Sequence, residues 1–174
     1  MTSAERPATG AGVDAERPAN APDVDVDAAA AAARPATVLQ GGRAKAYRPI
    51  PPADRAKAFE AALDAYERGD FFEAHELLEP AWMGTDDIAE RELYQGLIKL
   101  AAGYVHAVRG NPLGLAKNLR GARDRLAAAR EAEAITGDVD LDGLLNSIDD
   151  RLARLSADPA DGTIDPPSPR RTTP

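Results

Sequence analysis

FFEAHELLEPAW, residues 71–82, decides how the rest of the chain is read. Drawn as a helix, it places Phe71, His75, Leu78 and Trp82 on one face, with Phe72 and Glu79 at the edge of that face. A histidine and a carboxylate thus stand where a helix buries hydrocarbon. Desolvating such groups without partners is costly, so the pattern points to a polar site inside an apolar setting. Asp70 and Glu73 have the spacing of a capping box at the start of this helix, and Gly84 marks its end. Pro80, which lacks a backbone donor, is expected to kink the helix or end its regular part.

Helical periodicity continues on both sides. Upstream, about Asp54 to Arg68 puts Phe59, Ala62, Leu63 and Tyr66 on one face, with Gly69 as the stop. Downstream, a helix starting near Thr85 to Asp87 and running to about Arg109 carries Leu93, Tyr94, Leu97, Ile98, Leu100, Ala101, Tyr104, Val105 and Val108, an arc broad enough for a central helix. A fourth helix opens with Asn111 as cap and Pro112 in the first turn, and a fifth spans about Asp140 to Leu155. No convincing alternating strand pattern and no fixed repeat interrupt this series. The expected fold is all-α: a compact bundle of about five helices whose short connections make successive helices antiparallel neighbours.

Apart from Tyr47, every aromatic residue lies between Phe59 and Tyr104, which locates the core. Residues 1–50 are rich in Ala, Pro and Asp and offer few large apolar groups to offset the entropy of ordering a chain, so they read as a disordered arm. Residues 51–155 form the helical domain. Residues 156–174, with five prolines and no aromatic, read as a second disordered tail.

Composition narrows the chemistry. A net charge of −8 argues against nucleic-acid binding over the whole surface and against attachment to an anionic membrane. The absence of cysteine excludes disulfides, thiolate nucleophiles and cysteine-ligated metal centres. The N-terminus lacks the continuous apolar run of a secretory signal, and no stretch of about 18 apolar residues could span a bilayer, so a cytoplasmic protein is expected.

His75 and Glu79 are four apart and can meet on one helical turn. On the central helix Gln95, Lys99, Ala102 and His106 form a polar stripe opposite the main apolar arc, with Glu92 beside it and Gly96 and Gly103 flanking it. If the second and third helices make an antiparallel hairpin, His75, Glu79, Gln95 and Lys99 share one cleft walled by Trp82. His106 lies eleven residues beyond Gln95, about 16 Å along the axis, and would reach the turn at Gly69 and Asp70 instead. Glu76 points away from the apolar arc, toward a helix-end contact or a partner.

HELLE lacks the second histidine of the zinc-protease signature, so a metal site would need His75, Glu79 and His106, or Glu76. For acid–base work His75 has a suitable intrinsic pKa, and Glu79 could set its tautomer. No activated serine accompanies them. The tyrosines and Trp82 read as core rather than a stacking box. Lys117, Arg120, Arg123 and Arg125 make the fourth helix basic, a pattern read as a solvated face that Asp124 interrupts.

The segments Gly69-Asp-Phe-Phe-Glu-Ala-His-Glu-x-Leu-Glu-x-x-Trp82, Gln95-Gly96-Leu97-Ile98 and Arg109-Gly110-Asn111 with Gly114 resemble the bacterial and archaeal domain of unknown function 309 (DUF309) family. The resemblance covers about Phe59 to Leu126. It implies an all-α helical domain without an established activity, with characteristic polar positions matching His75, Glu76, Glu79, Trp82, Gln95, His106 and Asn111. Where family members often carry Gln, this chain has Lys99.

The functional expectation is a His/Glu/Gln cleft for a small polar or anionic ligand. In it Glu79 orients His75, Gln95 and Lys99 donate hydrogen bonds, and Glu76, His106 and Asn111 are secondary candidates. The alternatives are a structural or homodimeric interaction domain and a metal-dependent hydrolase. No cofactor other than that metal ion is implied.

Overall fold

The computed structural model describes the backbone of residues 37–40 and 43–46 and all of residues 49–171. Most of the expected N-terminal arm therefore lies outside the described residues. Thr37–Gln40 (β1) and Arg43–Ala46 (β2) pair antiparallel, Thr37 opposite Ala46 and Gln40 opposite Arg43. No alternating pattern marks this hairpin in the sequence, because each strand is four residues long and mixes apolar with polar positions.

Five α-helices follow among the described residues: α1 Pro52–Glu67, α2 Phe71–Met83, α3 Ile88–Val108, α4 Pro112–Glu131 and α5 Leu141–Ala157. The fold class is the expected all-α bundle. Pro80 does not end α2, which continues to Met83. Its ring removes only the bond to the Glu76 carbonyl, and its exposed position leaves that carbonyl open to water. No helix of the described residues is long and apolar enough to cross a membrane.

Two turns are built from the same pair of devices. After α1, Gly69 takes φ +82° and donates to the Tyr66 carbonyl (2.9 Å), while Asp70 N donates to the Ala65 carbonyl (2.9 Å). After α3, Gly110 at φ +68° donates to Ala107 (2.9 Å) and Asn111 N to His106 (2.9 Å). Both are Schellman endings that require a left-handed residue, which glycine adopts without a Cβ clash. In each, the next residue then caps the following helix: Asp70 accepts from Glu73 N and Asn111 from Gly114 N. Such short turns return the chain beside the helix it has just left.

Each helix packs chiefly on its sequence neighbours, and α3 is the most enclosed. Ring contacts join α1, α2 and α3 in two groups, the trio Tyr66, Phe71 and Tyr104 and the pair Phe59 and Tyr94, with centroids 5.1–6.2 Å apart. Fully burying a side chain of this size contributes roughly 1.5–3 kcal/mol. Gly96 lets α4 come close: a Cβ there would stand 2.6 Å from the Leu126 side chain and 3.2 Å from its backbone nitrogen.

A polar knot fastens the other end of α1. Glu90 accepts from Arg55 Nε (3.2 Å), from Tyr94 Oη (2.6 Å) and from the hydroxyl of Thr85, which is fully buried. Arg55 also donates to the Ile50 carbonyl (2.6 Å), and Ile50 N donates to the Gly84 carbonyl (3.1 Å). Burial alone pushes the Glu90 carboxyl up, but the hydrogen bonds from Arg55, Thr85 and Tyr94 outweigh it and hold it below the usual range.

The C-terminal segment, read from the sequence as a tail, makes contacts with the bundle where the structure describes it. Its prolines do exclude helix beyond Ala157, but residues 158–171 are tied to the bundle rather than left without contacts. Arg170 pairs with Glu60 (3.0 Å), Asp64 (2.7 Å) and Glu67 (3.4 Å) of α1, and Asp140 N donates to the Pro169 carbonyl (3.0 Å).

Gly96→Ala is expected to lower stability by about 1–3 kcal/mol in urea unfolding, because overpacking against Leu126 exceeds the gain in helix propensity. Glu90→Gln is expected to cost roughly 1–3 kcal/mol near neutral pH. A depressed folded pKa contributes stability above the unfolded value, lost as pH falls through the folded one. Stability of the parent chain followed below pH 4.5 should therefore drop more steeply than that of the variant.

Candidate functional site

The buried face of α2 is Phe71, Ala74, Leu78, Ala81 and Trp82. His75 sits at the border of that face, its side chain 29% exposed, rather than within it as the helical drawing suggested. Its Nδ1 lies 3.1 Å from Oε1 of Glu76, which is more than half exposed. Glu76 is therefore turned outward as expected, yet it partners His75 rather than a distant group. Glu79, half-buried, completes the cluster: one ligand atom from each of His75, Glu76 and Glu79 lies within 4.8 Å of the others. Trp82 is 2% exposed and packs as core, with the Arg91 guanidinium 5.6 Å from its ring centroid, a cation–π distance.

The polar stripe of α3 is committed to α4. Arg125 Nη1 donates to both Glu92 carboxylate oxygens, at 2.7 and 3.0 Å. The Lys99 stem lies along Gly121, where a Cβ would meet its Cδ at 3.0 Å. These groups line an open cleft of about 370 Å³ together with Asp124. One end of the stripe is fixed by His106, whose Nδ1 is 3.2 Å from Asn111 Nδ2, and whose ring covers Gly114 so closely that a Cβ there would stand 2.6 Å from it. Gln95 is half-buried on the flank of α3, one turn after Arg91.

The expected single cleft is thus divided. His75, Glu76 and Glu79 gather on α2, Lys99 lines the α3–α4 cleft, and His106 and Asn111 lock the α3–α4 turn. Of the two alternatives for a third metal ligand, Glu76 stands beside His75 and Glu79, and His106 stands at the α3–α4 turn. The cause is packing. Gly96 and Gly103 do not open a space toward α2; they admit Leu126 and Leu115 of α4, and the residues on either side of them follow that contact. The basic stretch of α4 is likewise partly neutralised, Arg125 by Glu92 and Arg123 by Asp149.

Sequence reasoning missed two polar centres. The knot of Arg55, Thr85, Glu90 and Tyr94 was foreshadowed only by Asp87-x-x-Glu90, a second capping-box spacing. Arg151, 1% exposed, stands in the apolar stripe of α5 between Ile148 and Leu155. That placement was the available signal.

The family model for the domain of unknown function DUF309 matches residues 59–118. No curated protein and no solved structure matches the chain. The matched stretch runs from the middle of α1 into α4, so it is this part of the bundle that is similar to the DUF309 family.

Asn111→Ala removes the α4 cap and the partner of His106, and is expected to lower thermal stability by about 0.5–2 kcal/mol. An unchanged melting temperature would show that the locked turn contributes nothing.

Proposed function

We propose that this bundle binds a divalent first-row metal ion on the edge of α2, through His75, Glu76 and Glu79. The observation that carries the reading is the convergence of one imidazole and two carboxylates within 4.8 Å on a single helix. Imidazole with carboxylate suits Zn²⁺, Mn²⁺ and neighbouring ions. Donors at about 2.1 Å from one ion stand roughly 3.4 Å apart in tetrahedral geometry, so small rotamer adjustments would close the set. The half-exposed position of His75 allows this movement. It would also leave coordination positions for water or a further ligand.

A cation is favoured over the anionic ligand first expected. Two carboxylates flank His75, and the lysine that would have balanced a ligand's negative charge lies against Gly121 on α4. The reading assigns binding rather than turnover.

Titration calorimetry of the full chain with Zn²⁺ and with Mn²⁺ tests it. One ion per chain is expected, with affinity falling as pH is lowered because ligands bind metal deprotonated. His75→Ala and Glu79→Gln should each weaken binding by about tenfold or more, as loss of one of three ligands would. Lys99→Ala and His106→Ala should leave it unchanged. No heat of binding, or equal binding by the His75 variant, would refute the proposal.

A further inference from the structure

The side of the bundle beside α1 and α5 is crossed by the chain's own extended segment, residues 161–170. At one end Arg151, buried in α5, pairs with the Asp161 carboxylate and donates to the backbone carbonyls of Asp161 (3.1 Å) and Thr163 (2.6 Å). The Tyr104 hydroxyl donates to the Asp165 carbonyl (3.1 Å). Farther along, Pro169 is buried and lines a small apolar notch with Leu63, Tyr66 and Leu97. Arg170 then lies across Glu60, Asp64 and Glu67, a row spaced to share one face of α1. Backbone carbonyls, a seated proline and one terminal cation are what a groove reads in an extended peptide.

The segment fills this groove incompletely. Two buried side-chain polar atoms among the described residues lack a hydrogen-bond partner, Tyr66 Oη, in the notch, and Arg151 Nε, on the guanidinium that holds the segment's carbonyls. Arg151 Nε is 3.6 Å from Asp165 Oδ1, beyond hydrogen-bond reach. Proline has no N–H to offer Tyr66. Native structures rarely leave such atoms unpaired.

We propose that this groove is a docking site for an extended, proline-containing segment of a partner protein, with residues 161–170 as its displaceable occupant in cis. The partner segment carries an aspartate for Arg151, a proline for the notch, a basic residue for the α1 acidic row, and a hydrogen-bonding group beside Tyr66. The same segment from a second copy of this chain is the weaker candidate, since its prolines would leave the same hydroxyl unpaired.

The test uses the full chain and a fluorescent peptide of residues 159–171. Arg170→Glu, which sets the cis segment against the α1 acids, should bind the peptide about tenfold more tightly than the parent chain, because it removes a competing occupant. A peptide carrying Arg170→Ala should bind about tenfold more weakly, and raising the salt concentration should weaken the parent peptide. Asp165→Asn, which loosens the segment at its other end, serves as a second host if the first variant does not fold. Failure of both folded variants to bind at about 1 mM peptide, or indifference to the peptide's arginine, would overturn the proposal. Dimerisation of the variants through exchanged tails, without peptide binding, would also overturn it and assign the groove to a second copy.

Discussion

The distance between α3 and α4 is set at Gly96, where Leu126 occupies the space a side chain would need. Much of the molecule follows from that contact. It turns the glycine-bearing side of the central helix toward α4, so that the flanking Glu92 and Lys99 are drawn against Arg125 and Gly121. The opposite sides of α3 are then left to the aromatic contacts that Tyr94 and Tyr104 make with α1 and α2. With Glu92 and Lys99 engaged at the α4 seam, the His-Glu-x-x-Glu edge of α2 stands as a separate polar feature.

Local structure was readable because the devices that make it are local. Gly69-Asp70 and Gly110-Asn111 announce an ending and a beginning in adjacent residues, and the dihedrals and hydrogen bonds at both turns follow. Periodicity located the buried faces, although Val108, counted in the apolar arc, is 60% exposed where α3 runs out of neighbours. What periodicity cannot say is which neighbour a given face meets. Gln95 and Lys99 were assigned to a cleft with α2 and His106 to the Gly69–Asp70 turn, whereas the spacing of Gly96 and Gly103, seven residues apart, was the clue to a close helical partner on that side.

The C-terminal segment shows a second limit of sequence reading. Prolines and the lack of aromatics correctly argue against a helix, but they do not argue against docking. An extended chain keeps its carbonyls free, and Arg151 collects two of them. Asp161 is held down to about 2 by hydrogen bonds from Thr163 and by Arg151. A guanidinium in the middle of an apolar helix stripe was the mark of an unseen partner, and that partner proved to be the Asp161 carboxylate with two backbone carbonyls.

The proposed metal site uses the polar edge of α2 on its own, without the stripe of α3. The most direct measurement is an amide-resolved NMR spectrum of the full chain with substoichiometric Mn²⁺, whose paramagnetism broadens nearby signals. Broadening centred on residues 75–79, with the amides of Lys99 and His106 retained, is the predicted result. Broadening centred on the Glu92–Asp124 cleft, or spread evenly over the acidic surface, would contradict it.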